Sequence, residues 1–101
     1  MAWRLTYFEN VADDVRDAKE WYREQLPGLD KRFAVAVKAT IRRIANHPLH
    51  YALKYKNIRT ALVPVFPYAI HFYIDKEEKI ITIIAIVHTS RNPDIPRNRV
   101  S

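Results

Sequence analysis

Residues 66–93 read FPYAIHFYIDKEEKIITIIAIVHTSRNP. Phe66 to Ile74 and Lys79 to His88 are rich in β-branched and aromatic residues, and Asp75-Lys76-Glu77-Glu78 between them is a charged run of turn length, which together predict a hairpin of two long strands. Ile80 to Val87 is apolar at both parities, so it is expected to be the central strand, covered on both faces. The chain leaves it through His88, Arg91 and Pro93, which place polar groups where an apolar strand meets solvent.

Upstream of the hairpin, Ile58 to Val65 predicts another strand, with Ile58, Thr60 and Leu62 on one face and Arg59, Ala61 and Val63 on the other. Pro64 marks its end, because proline cannot donate to a sheet ladder. Leu49 to Lys56 has no clear period and reads as a loop. A helix from Leu29 or Asp30 buries Phe33, Val37, Ile41 and Ile44, exposes Lys31, Lys38, Arg42 and Arg43, and stops at Asn46-His47-Pro48. An earlier helix, with Asn10 as N-cap and Asp13, Asp14 and Asp17 near its positive end, carries a stripe of Val11, Val15, Ala18, Tyr22 and Gln25 or Leu26 before Pro27-Gly28 ends it. Trp3, Leu5 and Tyr7 alternate with Arg4, Thr6 and Phe8 in a short first strand. The order β-α-α-β-β-β predicts an α+β domain, two antiparallel helices packed on one face of an antiparallel sheet.

A chain of 101 residues supports one domain, residues 1–101, with the tail 92–101 extended. Apolar residues at 49% and charged residues at 28% give a globular balance. A single glycine excludes a glycine-rich phosphate loop, and the lack of cysteine excludes disulfides, thiolate metal sites and cysteine nucleophiles. The N-terminus lacks the apolar run of a signal peptide and no segment is long enough to span a membrane, so a soluble cytoplasmic protein is expected. Charge is segregated: residues 1–30 hold four basic and seven acidic side chains, net −3, and residues 31–101 hold thirteen and four, net +9. The second helix and the sheet therefore favour an acidic partner, unless the excess only solubilises the surface.

Individual side chains admit two readings each. His88 is either a general acid or base with Arg91 holding a phosphate, or a strand-end histidine bonded to the backbone. Arg59 is either a functional cation or the partner of Asp75 or Glu77. His71 reads as a cross-strand polar residue, and His47 and His50 make too poor a ligand set for a metal, so no metal and no cofactor are expected. Trp21 lies beside the stripe that Tyr22 belongs to, where it either contacts a partner or covers the core edge. Arg97 and Arg99 in the tail either meet an acidic partner or belong to a frayed end.

This order and spacing resemble the RelE/ParE toxin superfamily across essentially the whole chain. The resemblance rests on Val11-Ala12-Asp13-Asp14 in the first helix, Asn46-His47-Pro48 after the second, Arg59 on the next strand, the Phe66-Pro67-Tyr68 strand entry and the exit from Val87 through His88 and Arg91 to Pro93. It implies a toxin of a bacterial type II toxin-antitoxin pair, neutralised by a cognate antitoxin whose C-terminal segment wraps it, with the plasmid stabilisation and growth inhibition that such pairs confer. RelE-like members cut messenger RNA on the ribosome, which needs several cations or a carboxylate-histidine pair around one phosphate. Here Tyr68 is followed by Ala69 and Arg59 by Ala61 two positions on, where the RelE-like pattern has basic residues. The resemblance therefore favours the ParE-like branch, which poisons DNA gyrase, with Trp21, Arg59, His88, Arg91, Arg97 and Arg99 as partner-binding residues. If the protein is instead a ribosome-dependent nuclease, Arg59, His88 and Arg91 carry it, with Lys54 and Lys56 as substitute cations. A non-toxic, degenerate member that only binds antitoxin is the third reading.

Overall fold

A computed structural model describes residues 3–90. The elements are β1 (Arg4–Tyr7), α1 (Asn10–Gln25), α2 (Leu29–Asn46), a one-turn 3-10 helix (Pro48–His50), β2 (Leu53–Tyr55), β3 (Ile58–Leu62), β4 (Tyr68–Asp75) and β5 (Ile80–His88). The strands form one sheet in the order β1-β5-β4-β3-β2. The two helices pack on one of its faces, as the apolar stripes require.

Two differences from the expected sheet have physical causes. β1 pairs with β5 in parallel, Arg4 opposite Ile80 to Tyr7 opposite Ile83, so the sheet is mixed at that edge and antiparallel elsewhere. The two helices between β1 and the remaining strands supply the long crossover that parallel pairing demands. Within the segment read as a loop, Leu53–Tyr55 forms β2, paired to β3 through a two-residue turn at Lys56-Asn57. Three residues are too few to display a period of two, which is why the strand was not legible. β5 is an interior strand as its composition required, although β4 occupies the middle of the five.

The helical hairpin follows from its stop signals. Leu26 leaves α1 in extended geometry, its N–H still bonded to the Tyr22 carbonyl at 3.0 Å. Gly28 then turns with φ +94°, a conformation that costs glycine nothing, and α2 begins. Asn10 is the first helical residue of α1, not its cap, and no side chain caps that end. Leu26 is exposed, so the α1 stripe ends at Tyr22.

Between helices and sheet, Tyr22, Phe33, Phe66 and Tyr68 form an aromatic cluster with ring centroids 5.0–6.1 Å apart. Val11, Ala18, Val37, Ile44, Ala61, Val63, Ile70, Phe72, Ile81, Ile83 and Ile86 are the other buried residues of this core. On the opposite face Ile58, Ile84, Ala85 and Val87 are buried against Phe8, Tyr55 and Tyr73. No described helix is long and apolar enough to cross a membrane.

β5 departs from strict alternation at one point. His71 lies opposite Ala85 but Phe72 lies opposite Ile83, leaving Ile84 as an extra residue on β5. This bulge puts Ile84 and Ala85 on the same side and brings Ile86 into the helix-facing core with Ile81 and Ile83. β1 ends at Tyr7, so the edge of β5 beyond Ile83 has no strand beside it. Asp14 takes over there, its Oδ2 accepting the Ile86 N–H at 3.0 Å.

Replacing Asp14 by Ala leaves the buried Ile86 N–H without this acceptor and should cost about 1–3 kcal/mol. Urea unfolding compared with Asp13→Ala, whose carboxylate makes only an exposed ion pair with Arg16, measures the difference. Arg23 and the buried Asp30 provide a second check, at a separation of 3.2 Å. Burial pushes the Asp30 carboxyl up, but the Arg23 hydrogen bond, the Lys31 and Asp30 N–H groups and the guanidinium charge outweigh it and hold it below the usual carboxylate range. A depressed folded-state pKa contributes stability above the unfolded value, about 4, and that contribution is lost as pH falls below it. The melting-temperature gap between the wild type and Asp30→Asn should therefore be present at pH 7 and narrow in acid.

Candidate functional site

The local geometry of residues 63–68 and 87–90 builds the most distinctive site. Tyr68 donates its N–H to the Phe66 carbonyl at 2.8 Å across Pro67, a three-residue turn suited to the fixed φ of proline. The Tyr68 carbonyl accepts the Val63 N–H at 2.9 Å, and the Pro67 carbonyl accepts the Thr89 N–H at 2.8 Å. The entry of β4 and the exit of β5 are thus tied together, which accounts for both halves of the Phe66-Pro67-Tyr68 and His88 motifs.

His88 lies opposite Tyr68, its ring edge-on to the tyrosine at 5.4 Å. Because of the Ile84 bulge it falls on the helix-facing side with Ile86. There it lines an open pocket of about 340 Å³ with Tyr68, Ser90 and three residues of α1, namely Asp17, Trp21 and Tyr22. Asp17 and Trp21 are one turn apart on the same helix face. Trp21 is half-exposed and packs edge-on against Tyr22 at 5.1 Å. Burial, and then the neighbouring Tyr68, raise the Tyr22 hydroxyl pKa above its ordinary value, so it stays neutral as a donor.

The hydrogen bonds of His88 determine its tautomer. Nδ1 receives the Ser90 backbone N–H at 3.1 Å and lies 2.7 Å from the Ser90 hydroxyl. An amide N–H can only donate, so Nδ1 carries the lone pair and Nε2 the proton. The backbone-bonded arrangement envisaged for a strand-end histidine is therefore present, and Nε2–H is the donor that the ring retains. The pocket offers that donor, one carboxylate and three aromatic rings; among the described residues no lysine or arginine lines it.

The other candidates lie elsewhere. Arg59 donates Nη1 to the Tyr51 carbonyl, fastening the segment before β2 to the sheet, and does not pair with Asp75 or Glu77. Arg59 sits opposite Phe72 and His88 opposite Tyr68. Four residues along β4 and two strand spacings across separate them by roughly 15 Å. Lys54 is on β2 and Lys56 in the β2–β3 turn at φ +47°, both exposed. Arg91, Arg97 and Arg99 lie outside the described residues. His71 is buried with Nδ1 3.5 Å from the Tyr55 hydroxyl. His47 and His50 stack at 4.8 Å, and among the described residues no group of three or more potential ligands could hold a metal.

Sequence reasoning placed Asp14 and Asp17 only at the start of the first helix, without their roles at Ile86 and in the His88 pocket, and passed over Ser90. The spacing of Asp14, Asp17 and Trp21 along one flank of the buried stripe was the available signal, but only tertiary packing shows that β5 lies beneath it. The surface also holds two apolar grooves on separate flanks of α2. The larger, about 590 Å³, lies between the helices and is lined by Ala12, Val15, Ala34, Val37, Ile41 and Ile86 among others. The second, about 440 Å³, lies between α2 and residues 64–66.

The tautomer is directly observable. In ¹⁵N NMR spectra the neutral imidazole of His88 should show a protonated Nε2 and an unprotonated Nδ1, and Ser90→Ala should preserve that pattern because the backbone N–H remains. A neutral wild-type ring protonated on Nδ1 contradicts the assignment.

Comparison with known proteins places this architecture. The toxin of the chromosomal ParDE system of P. aeruginosa superposes with a TM-score of 0.76 at 15% identity, covering 87% of this chain and 97% of that one. A free double mutant of the E. coli toxin RelE gives 0.70 at 14%, covering 100% of both chains. The intact E. coli RelBE toxin-antitoxin complex gives 0.63 at 15%, covering 89% of this chain and 100% of that one. At such identities the likeness establishes the fold. No curated protein matches the sequence. The model of the ParE toxin of the type II toxin-antitoxin system parDE matches residues 6–93. The chain, with its helical hairpin on a mixed sheet, belongs to the ParE toxin family within the RelE/ParE superfamily of type II toxin-antitoxin toxins.

Proposed function

We propose that this toxin acts by binding DNA gyrase, not by cutting RNA, and that a cognate antitoxin holds it inactive. The observation that carries this reading is that, among the described residues, no cation stands beside His88. Arg59 lies roughly 15 Å from His88 by strand spacing, its guanidinium is engaged by Tyr51, and Asp17 gives the His88 pocket a negative wall. Cleavage at a single phosphate needs positive charge converging on it. A pocket of rings, one carboxylate and one imidazole donor instead suits a protein surface, and the exposed Trp21 is the type of side chain that anchors such contacts.

The antitoxin reading has separate support. Solved relatives include ParDE and RelBE toxin-antitoxin systems. The groove between α1 and α2 has the apolar floor that an amphipathic segment of an antitoxin needs.

Expression of the protein alone in bacteria, followed by thymidine and methionine incorporation, separates the alternatives. Early loss of DNA synthesis with filamentation, and inhibition of supercoiling by purified protein, are expected. Early loss of translation with cleavage in the ribosomal A site would establish the nuclease reading instead, with Arg59→Ala, His88→Ala and Arg91→Ala each losing cleavage. No effect on either process leaves antitoxin binding as the function.

A further inference from the structure

Val65 is the residue whose conformation the fold explains least. Its φ is +74°, in the left-handed region where a β-branched side chain clashes with its own backbone, and it is 93% exposed. Buried contacts do not compensate for that strain. The conformation is nevertheless tightly held: Pro64 precedes it, Phe66 is anchored in the aromatic cluster, and the Val63–Tyr68 bond closes the hairpin behind it.

Across from it, Val35 on α2 is 67% exposed. The two valines, with Pro64, Phe66, Ala36 and Ala39, line the groove of about 440 Å³, and Lys31 and Arg32 stand at its rim. Neither cation has an ion pair among the described residues. α2 carries Lys31, Arg32, Lys38, Arg42 and Arg43 against a single acid, Asp30, which Arg23 already neutralises. The groove is thus apolar in its floor, with Phe66 partly buried in the aromatic cluster, and positive around it, and its apolar side chains offer a nucleic-acid base no hydrogen bond.

We propose that this groove between α2 and the Val65 tip docks an acidic segment of gyrase, with an aliphatic side chain between Val35 and Val65 and carboxylates on Lys31 and Arg32. The inference rests on the gyrase reading above and adds to the Trp21 contact a second one, on α2 and the Val65 tip. It also assigns the two flanks of α2 to different partners, the interhelical flank to antitoxin and this one to the target. Strain at an exposed valine is retained because the branched side chain is needed outside the protein and not within it.

The test uses purified toxin and gyrase holoenzyme in a supercoiling assay. Val65→Asn keeps the left-handed backbone, which asparagine tolerates, and removes the aliphatic tip; the double variant Lys31→Glu/Arg32→Glu reverses the rim. Each is expected to raise the half-inhibitory concentration about tenfold or more, with the melting temperature of Val65→Asn equal to or above the wild type. Variants as inhibitory as the wild type overturn the inference and leave the gyrase reading standing. Variants that still inhibit gyrase but escape neutralisation by the antitoxin put the antitoxin in this groove, which also overturns it. A wild-type protein that leaves supercoiling untouched overturns both.

Discussion

β5 is nine residues long and apolar on both faces, whereas β1 beside it is only four, so more than half of one edge of the most buried strand would lack hydrogen-bond partners. An unpaired buried N–H costs more than a typical hydrogen bond contributes. The chain resolves this by turning directly from β1 into α1 and lowering Asp14 onto the Ile86 N–H. That one bond sets how far α1 lies along β5, and with it the positions of Asp17, Trp21 and Tyr22 over the strand exit. The Ile84 bulge next to it is the complementary adjustment, since it brings Ile86 beneath the helices.

The same adjustment creates the geometry of the His88 pocket. By parity alone, His88 would share a face with Thr82, Ile84 and Ile86, and Ile81, Ile83, Ala85 and Val87 would form the helix-facing row. The extra residue moves Ile86 and His88 to the side of Ile81 and Ile83, where His88 meets Tyr68 and the α1 residues. The clamp through Pro67 then holds β4 and β5 together at this end, and Ser90 sets the imidazole tautomer. Three local features, a bulge, a proline turn and a side-chain acceptor, thus place one histidine.

Charge segregation gives the molecule two dissimilar sides. α1 has five acids and three bases, whereas α2 has one acid and five bases. An acidic partner is attracted to α2 and repelled from the α1 side of the His88 pocket, which limits how one can approach. Three exposed apolar side chains follow this division: Val35 and Val65 lie among cations, and Trp21 lies beside Asp17. Such differences between two sides favour specificity, because it depends on excluding the wrong partner as well as attracting the right one.

Much of this was legible from residue order. Ile80–Val87 announced an interior strand, the stripes from Val11 to Tyr22 and from Phe33 to Ile44 announced two helices with one buried face each, and Pro27-Gly28 placed the turn between them. These are local consequences of side-chain periodicity and backbone stereochemistry, so a linear reading reaches them. The three-residue β2, the parallel pairing of β1, the bulge at Ile84 and the union of Asp17 with His88 were not legible. Each depends on hydrogen bonds or packing between segments distant in the chain, and no local period records which edge of a strand is left open or which helix comes to lie above it.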